Sequence, residues 1–170
     1  GAIEDFTKAI EIDSMADNCY YGRAYDKEEL GDLQGAIKDY TSAIEINPYH
    51  VDSYLNRGVS KNNLGDYKGA IEDYTKVIEI DPNYANAYLN RGIAKDALKD
   101  YTGAIQDYTK AISKNPSNPY YFYKMASLKA FLKDYRGAIQ DCEKAFKIDP
   151  KYEEVLYLSG VTKYSIKNYK

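Results

Sequence analysis

The chain has 170 residues, 44% of them hydrophobic, and a formal net charge of −3. No stretch approaches the roughly 20 consecutive apolar residues of a membrane-spanning helix, so the composition predicts a soluble chain without a membrane segment. A nucleic-acid-binding domain usually carries a basic surplus, and the acidic balance therefore predicts no nucleic-acid partner.

The block Gly-Ala-Ile-x-Asp begins at residues 1, 35, 69, 103 and 137, a spacing of 34 residues each time. The 170 residues therefore make five periods, and no insertion interrupts the register. A fixed period of this length is typical of a helical solenoid, in which each repeat packs against its neighbours.

The pattern predicts two helices in each period, here named helix A and helix B, and the chain starts in a helix B. In chain order, the predicted helices are B 2–12, A 18–30, B 34–46, A 51–64, B 68–80, A 85–98, B 102–114, A 119–132, B 136–148 and A 153–167. Prolines 48, 82, 116 and 150 follow the B helices, where a helix must stop. Gly-Asp or Lys-Asp pairs mark the turns from helix A to helix B.

One B helix shows how the helices are expected to pack. Ala104, Tyr108 and Ala111 have the spacing i, i+4, i+7, which places them on a single helical face. Gly92 and Ala104 are small enough to let two helices approach closely, and Tyr108 is expected to fill the space beside them. Twelve of the 20 tyrosines occupy such recurring structural positions: Tyr20, Tyr40, Tyr54, Tyr67, Tyr74, Tyr84, Tyr88, Tyr101, Tyr108, Tyr135, Tyr152 and Tyr169.

The unit resembles the tetratricopeptide repeat (TPR). Tyr88 and Gly92 match the large and small positions of helix A, and the Ala104 triplet and Pro116 match helix B and the end of the unit. The resemblance implies an all-α, right-handed α-solenoid of antiparallel helix pairs. It predicts one array over residues 1–170, with about five units starting in a helix B and ending in a helix A. The predicted boundaries are 1–16, 17–50, 51–84, 85–118, 119–152 and 153–170.

Charged residues replace two apolar positions of the repeat pattern. Arg23, Arg57 and Arg91 stand where the pattern has Leu, and a Lys stands where it has Tyr. Every B helix carries an Asp at a fixed position, from Asp5 to Asp141. Because a buried Arg is unfavourable without a partner, we predict a series of Arg–Asp and Lys–Asp pairs between helices. An anion-binding site is the alternative interpretation.

The chain starts in a helix B and ends in a helix A, without a polar capping helix, as expected of a fragment of a longer array. Both terminal helices should then expose apolar surface, and copies are expected to stack head-to-tail.

The sequence shows no catalytic, cofactor-binding or metal-binding pattern. His50 is a single histidine in a predicted loop and is expected to be a surface residue. Cys19 and Cys142 lie several repeats apart and are expected to be buried free thiols, which weakly favours a reducing, cytoplasmic location. We expect no enzymatic activity and no cofactor.

The resemblance implies a binding groove lined mainly by the A helices. Its candidate residues are Asn56, Asn90, Lys124, Tyr21, Tyr25, Leu55, Leu89, Tyr120, Tyr123, Phe131, Tyr157 and Tyr164, and Glu154 also falls on a lining position. Asn56 and Asn90 form a short asparagine ladder whose amides could pair with a peptide backbone, or could simply tolerate a crowded surface. The Lys and Asn pattern of the carboxylate clamp found in chaperone-binding members is missing.

Three functional hypotheses follow. The leading one is a protein-interaction scaffold that holds an extended peptide or partner helix in the groove. The alternative is an array that associates with its own copies. The third, a helical-repeat RNA binder, would need basic or stacking residues in each repeat, and few cations are present on the predicted inner face.

Overall fold

The structure is a computed structural model that describes residues 1–168, and for Asn168 the backbone only. It contains ten helices in this range: α1 (Ala2–Ile12), α2 (Asp17–Glu29), α3 (Leu33–Ile46), α4 (Val51–Asn63), α5 (Tyr67–Ile80), α6 (Ala85–Ala97), α7 (Tyr101–Lys114), α8 (Pro119–Phe131), α9 (Tyr135–Ile148) and α10 (Glu153–Asn168). Even-numbered helices are the A helices, and odd-numbered helices are the B helices. Each agrees with its predicted boundaries to within one residue. Tyr169 and the end of the predicted half-repeat 153–170 lie outside the described residues.

The described chain forms two compact units, one over Gly1–Asn83 and one from Tyr84 onward. In each unit, helices that are consecutive in the chain pack against each other. Connections of three or four residues join them. Such short links between helices are typical of antiparallel pairs.

Each turn from helix A to helix B is closed by an aspartate. The side chains of Asp32, Asp66, Asp100 and Asp134 accept a hydrogen bond from the backbone N–H of the Gly three residues later. A Cβ on Gly35 would lie within van der Waals overlap of the Asp32 carboxylate. A side chain at the glycine of the repeated block would therefore make the capping carboxylate shift.

The residue before the capping aspartate has a left-handed backbone. Gly31 and Gly65 have φ of 83°, and Lys99 and Lys133 adopt φ of 65° at the equivalent position of the next two turns. A lysine in this conformation is strained by about 1 kcal/mol or more relative to glycine.

The core of each repeat lies under the B helix. Ala36, Tyr40 and Ala43 are fully buried, as are Ala104 and Ala111, and Tyr108 is 1% exposed. The predicted packing triplet is therefore confirmed. The eleven described tyrosines at the recurring structural positions are all buried or half-buried.

Glycines in helix A let the buried tyrosines approach. A Cβ on Gly58 would lie 2.7 Å from the ring of Tyr74, and a Cβ on Gly92 would lie 2.7 Å from the ring of Tyr108. Gly160 occupies the same repeat position in α10, and a Cβ there would meet nothing within 4 Å. Glycine therefore allows a close helix contact at positions 58 and 92, whereas at position 160 an added methyl group would meet no other atom.

We predict that Gly92→Ala destabilises the chain by about 1–3 kcal/mol, since the added methyl group would lie 2.7 Å from the Tyr108 ring and 3.3 Å from the Ala104 carbonyl oxygen. Gly160→Ala should instead stabilise it by up to about 1 kcal/mol through helix propensity alone. Urea unfolding followed by circular dichroism measures both. Equal effects of the two variants would contradict this account of the glycines.

Candidate peptide-binding surface

Buried carboxylates hold the A helices onto the B helices. Arg23 donates from Nε and Nη2 to the two carboxylate oxygens of Asp39, over 2.7 and 2.8 Å. Lys27 Nζ lies 2.7 Å from the same carboxylate. Arg57 and Lys61 bind Asp73, and Arg91 and Lys95 bind Asp107, in the same manner. The predicted ladder of ion pairs is confirmed. Since Asp39 occupies two donors of Arg23, the geometry does not favour the alternative anion site.

Two of the ion-paired arginines, Arg23 and Arg57, make further contacts. Arg23 Nη1 donates to Thr7 Oγ1 of the preceding B helix over 3.1 Å, and Arg57 Nη1 donates to Thr41 over 3.0 Å. The guanidinium carbon of Arg23 lies 5.6 Å from the centre of the Tyr20 ring. The arginine therefore connects two repeats as well as the two helices of its own repeat.

In the fourth repeat, different residues neutralise the buried carboxylate. Met125 replaces the arginine, and Asp141 binds Lys129 Nζ at 2.6 Å and Lys144 Nζ at 3.0 Å. Lys144 comes from the same B helix as Asp141, and a methionine has no donor to offer a threonine of the preceding B helix. The polar link that the arginine makes between successive repeats is therefore lost at this position.

The ion pairs change the titration of the buried carboxylate. Burial alone would raise the pKa of Asp39, but the hydrogen bonds from Arg23 and Lys27 outweigh it and hold the pKa below its usual value. The carboxylate therefore contributes stability that is complete above the unfolded-state pKa of about 3.9 and is lost as the pH falls through the lowered folded-state pKa.

In the first unit, the predicted groove residues form a packed polar cluster. Asn56 Nδ2 donates to the Tyr21 hydroxyl over 3.3 Å. The Tyr21 ring lies 5.8 Å from that of Tyr40 and 5.1 Å from that of His50. Asn56 and Leu55 are half-buried, whereas Tyr25 is 48% exposed. Asn56 thus already has an intramolecular role in holding Tyr21.

His50 is not the simple surface residue that the sequence predicts. It is half-buried and caps α4, since its Nδ1 accepts a hydrogen bond from the backbone N–H of Ser53 over 3.2 Å. That acceptor role leaves Nε2 as the protonated nitrogen in the neutral ring, positioned 3.4 Å from the side-chain oxygen of Asn18. Its place directly before helix A was the available signal, although histidine is not a common capping residue.

The sequence does not predict the contacts of Glu28. The hydroxyl of Tyr40 donates to Glu28 over 2.8 Å, and that of Ser60 donates to its other oxygen over 3.1 Å. Burial and then this carboxylate raise the pKa of Tyr40. The contact with Ser60 joins residues 32 positions apart, and no feature of the repeat pattern marks it.

In the second unit, the two predicted residues of α6 differ in exposure. Leu89 is only 4% exposed and packs in the core, so it offers little surface to a ligand. Asn90 is half-buried, and within residues 1–168 its side chain makes no hydrogen bond. Asn90 is therefore the freer of the two ladder asparagines.

Aromatic side chains gather where α8 approaches the start of α10. The Tyr123 ring lies 6.2 Å from Tyr120 and 5.6 Å from Tyr152. Lys124 Nζ lies 5.2 Å from the centre of the Tyr120 ring. Burial, with a smaller effect of Glu154, raises the pKa of Tyr152 to about 12. We call Tyr120, Tyr123 and Tyr152 the aromatic cluster.

Three further candidates are strongly exposed. Tyr157 is 76% exposed, Tyr164 is 70% exposed, and Phe131 is 67% exposed while resting 5.5 Å from the Tyr101 ring. Tyr157 and Tyr123 line a cavity of about 380 Å³ together with Glu153, Glu154 and Leu158. Glu153 was not among the predicted residues.

The two thiols are both free, but only one is buried. Cys142 is 1% exposed, and burial raises its pKa to about 11. Cys19 is half-buried, so its predicted burial was wrong. Ser53, Ala87 and Tyr121 hold its position in later A helices and are buried.

Residues 1–168 lack two kinds of feature. No three His, Cys, Asp or Glu side chains come together in a group suited to a metal ion. None of the helices in this range combines the length and the apolar character needed to cross a membrane.

Models of the tetratricopeptide repeat match residues 18–50, 85–118 and 119–152, and a TPR repeat model matches residues 61–95. The chain belongs to the tetratricopeptide repeat family. It is an all-α TPR solenoid, and the family consists in general of non-enzymatic protein-interaction scaffolds. No match was found among curated protein sequences.

Solved structures show the same fold. The MamA protein is 25% identical over 86% of this chain and 80% of its own, with a TM-score of 0.79. MamA from residue 41 to its end, from Desulfovibrio magneticus RS-1, is 19% identical over 88% and 85%, with a TM-score of 0.83. TTC0263, a thermophilic TPR protein of Thermus thermophilus, is 16% identical over 95% and 89%, with a TM-score of 0.74.

We predict that Asp39→Asn destabilises the chain by about 3 kcal/mol at neutral pH, because it leaves Arg23 and Lys27 half-buried without their anion. The difference in unfolding free energy from the unmodified chain should narrow as the pH falls below about 3.9, because Asp39 of the unfolded chain then binds a proton that the folded chain takes up only at lower pH. Urea unfolding at several pH values measures this.

The matched control is Glu45→Gln, which removes an exposed carboxylate from the same helix. It should change stability by no more than about 0.5 kcal/mol. The role given to this ion pair would be contradicted if the unfolding free energies of the unmodified chain and of Asp39→Asn differed by the same amount at neutral and at acid pH.

Proposed function

We propose that this chain is a scaffold that holds an extended peptide or a partner helix against its A helices. The observation that carries the proposal is the division of the tyrosines into two groups. The described tyrosines at structural positions are buried or half-buried. Four of the six at predicted groove positions are exposed, namely Tyr25, Tyr120, Tyr157 and Tyr164.

Exposed aromatic side chains suit a binding role. Tyrosine gives a large contact area and a polar tip, and it loses little conformational entropy when it is immobilised. Tyr157 and Tyr164 lie on α10 within the second unit, which also carries the exposed Phe131. The fold does not need these rings for its core, which supports a role in binding.

The asparagines are proposed to contribute unequally. A primary amide offers both a donor and an acceptor, which suits pairing with a peptide backbone whatever its sequence. Asn90 makes no hydrogen bond within the described residues, whereas Asn56 donates to Tyr21. We therefore assign the stronger backbone contact to Asn90. A nucleic-acid partner is not part of the proposal, since the net charge is −3.

The test is a selection of random peptides on the purified chain, followed by calorimetric titration of the enriched sequences. Tyr157→Ala with Tyr164→Ala should weaken binding by about tenfold or more, as expected of hot-spot aromatics. Both side chains are strongly exposed, so the fold should be retained.

The control for this pair is Tyr49→Ala, since Tyr49 is 77% exposed and lies in the connection between α3 and α4. It should bind as the unmodified chain does. The proposal would be overturned if no peptide were enriched, or if the double variant bound every enriched peptide with unchanged affinity.

Head-to-tail self-association is the second candidate, and one observation favours it. Asp5 and Lys163 occupy the two positions that form ion pairs in other repeats, and within residues 1–168 neither makes an ion pair. Around Lys163, α9 and α10 expose an apolar surface that includes Phe146 and Leu156. In register, α1 of a second copy would bring its Asp5 to this Lys163.

Sedimentation over a concentration series up to roughly 1 mM tests this candidate. Asp5→Lys and Lys163→Asp should each reduce association, and their combination should restore it. A chain that stays monomeric throughout, or a double variant that fails to recover, would exclude this contact.

A further inference from the structure

The cavity beside the aromatic cluster is lined by carboxylates as well as by tyrosines. It measures about 380 Å³ and lies between α8 and the start of α10, within the second unit. This volume falls in the range of ligand pockets, roughly 300–1,000 Å³. Tyr123, Tyr157 and Leu158 supply aromatic and apolar walls, and Glu153 and Glu154 supply two carboxylates.

The two carboxylates are available to a ligand. Glu153 and Glu154 are exposed, and within residues 1–168 neither makes an ion pair or a side-chain hydrogen bond. Their place in the first turn of α10 is favourable for acidic residues because of the helix dipole. The dipole accounts for the acids alone, and not for the tyrosines that face the same cavity.

The aromatic walls are partly fixed in advance. Tyr123 is held between Tyr120 and Tyr152, at centroid distances of 6.2 and 5.6 Å, and is half-buried. Tyr157 leaves most of its ring open to solvent. A ring that packing already holds in place loses little entropy when a ligand binds.

This cluster already binds one ammonium group within the chain. Lys124 Nζ lies 5.2 Å from the centre of the Tyr120 ring, a distance typical of a cation–π contact. The charge of Lys124 also acts on Asp96, whose pKa burial raises and Lys124 partly lowers. Within residues 1–168, Lys124 forms no ion pair with Glu153 or Glu154.

We propose that this cavity receives the basic side chain, lysine or arginine, of a bound peptide. Carboxylates attract the charge, and aromatic faces stabilise a cation within about 6 Å of their centres. The inference rests on the proposed peptide-binding function and adds the chemistry of the partner to it. It assigns Glu153 and Glu154 as specificity-determining residues for a basic position of that peptide.

The experiment uses single amino-acid probes, so that it does not depend on finding the natural peptide. Nα-acetyl-lysine methylamide and its arginine counterpart are titrated into the ¹⁵N-labelled chain, with the uncharged norleucine derivative in parallel. The basic probes should shift the amide signals of Tyr123 and of the first turns of α10. The norleucine probe should bind at least about tenfold more weakly, and added salt should weaken only the basic probes.

Two variants and two controls locate the effect. Glu153→Gln with Glu154→Gln should remove the preference for the basic probes, and Tyr157→Ala should weaken them severalfold. The controls are Glu11→Gln with Glu45→Gln, which makes the same change in net charge in the first unit, and Tyr49→Ala. Neither control should alter binding. Unchanged thermal unfolding of each variant confirms that the fold is intact.

Equal binding of the lysine and norleucine probes would overturn the inference, as would shifts confined to other helices or full binding by the doubly substituted glutamate variant. These outcomes differ from failure of the proposed function. Selected peptides without a basic residue that still require Tyr157 and Tyr164 would leave the scaffold role intact and remove only the preference for a cation.

Discussion

Each repeat depends on a carboxylate that is buried in its B helix and must be neutralised. Asp39, Asp73, Asp107 and Asp141 are all 5% exposed or less. A buried charge of this kind is tolerated only when it is paired and hydrogen-bonded, and the basic residues of the facing A helix meet both needs. The pairing fixes one side of each A helix against its B helix, and the opposite side is then free to carry residues that the core does not use.

That division explains where the functional candidates lie. Burial of the B-helix tyrosines and close contact at Gly58 and Gly92 use one face of the A helix. Exposed aromatics such as Tyr157 and Tyr164 lie away from that contact. Leu89 and Tyr123 hold the position of Tyr157 in α6 and α8 and are buried or half-buried, so the exposure of Tyr157 also depends on which neighbouring helix covers it. The second unit thereby carries an aromatic surface with two carboxylates at its edge.

The sequence predicted the helices and the ion pairs well, because both follow from residue type at a fixed period. Asp, Gly and Pro mark the helix ends, and a charged residue in an apolar position predicts its partner. The contact of His50 with Asn18 and that of Glu28 with Ser60 could not be predicted, because each joins residues 32 positions apart whose types change from one repeat to the next. The burial of Leu89 and the half-exposure of Cys19 likewise depend on which neighbouring helix covers a position.

The replacement of arginine by Met125 has a mechanical consequence. In the first unit, Arg23 and Arg57 tie each A helix to the preceding B helix through a threonine hydroxyl. Between α7 and α8 this hydrogen bond is missing, because the thioether of Met125 cannot donate a hydrogen bond to a threonine. Ser159 holds the same position in α10, so neither contact between successive repeats within the second unit has the arginine–threonine hydrogen bond. Under tension along the chain, hydrogen-bonded contacts resist stretching more stiffly than sliding apolar surfaces do, so the second unit should yield before the first.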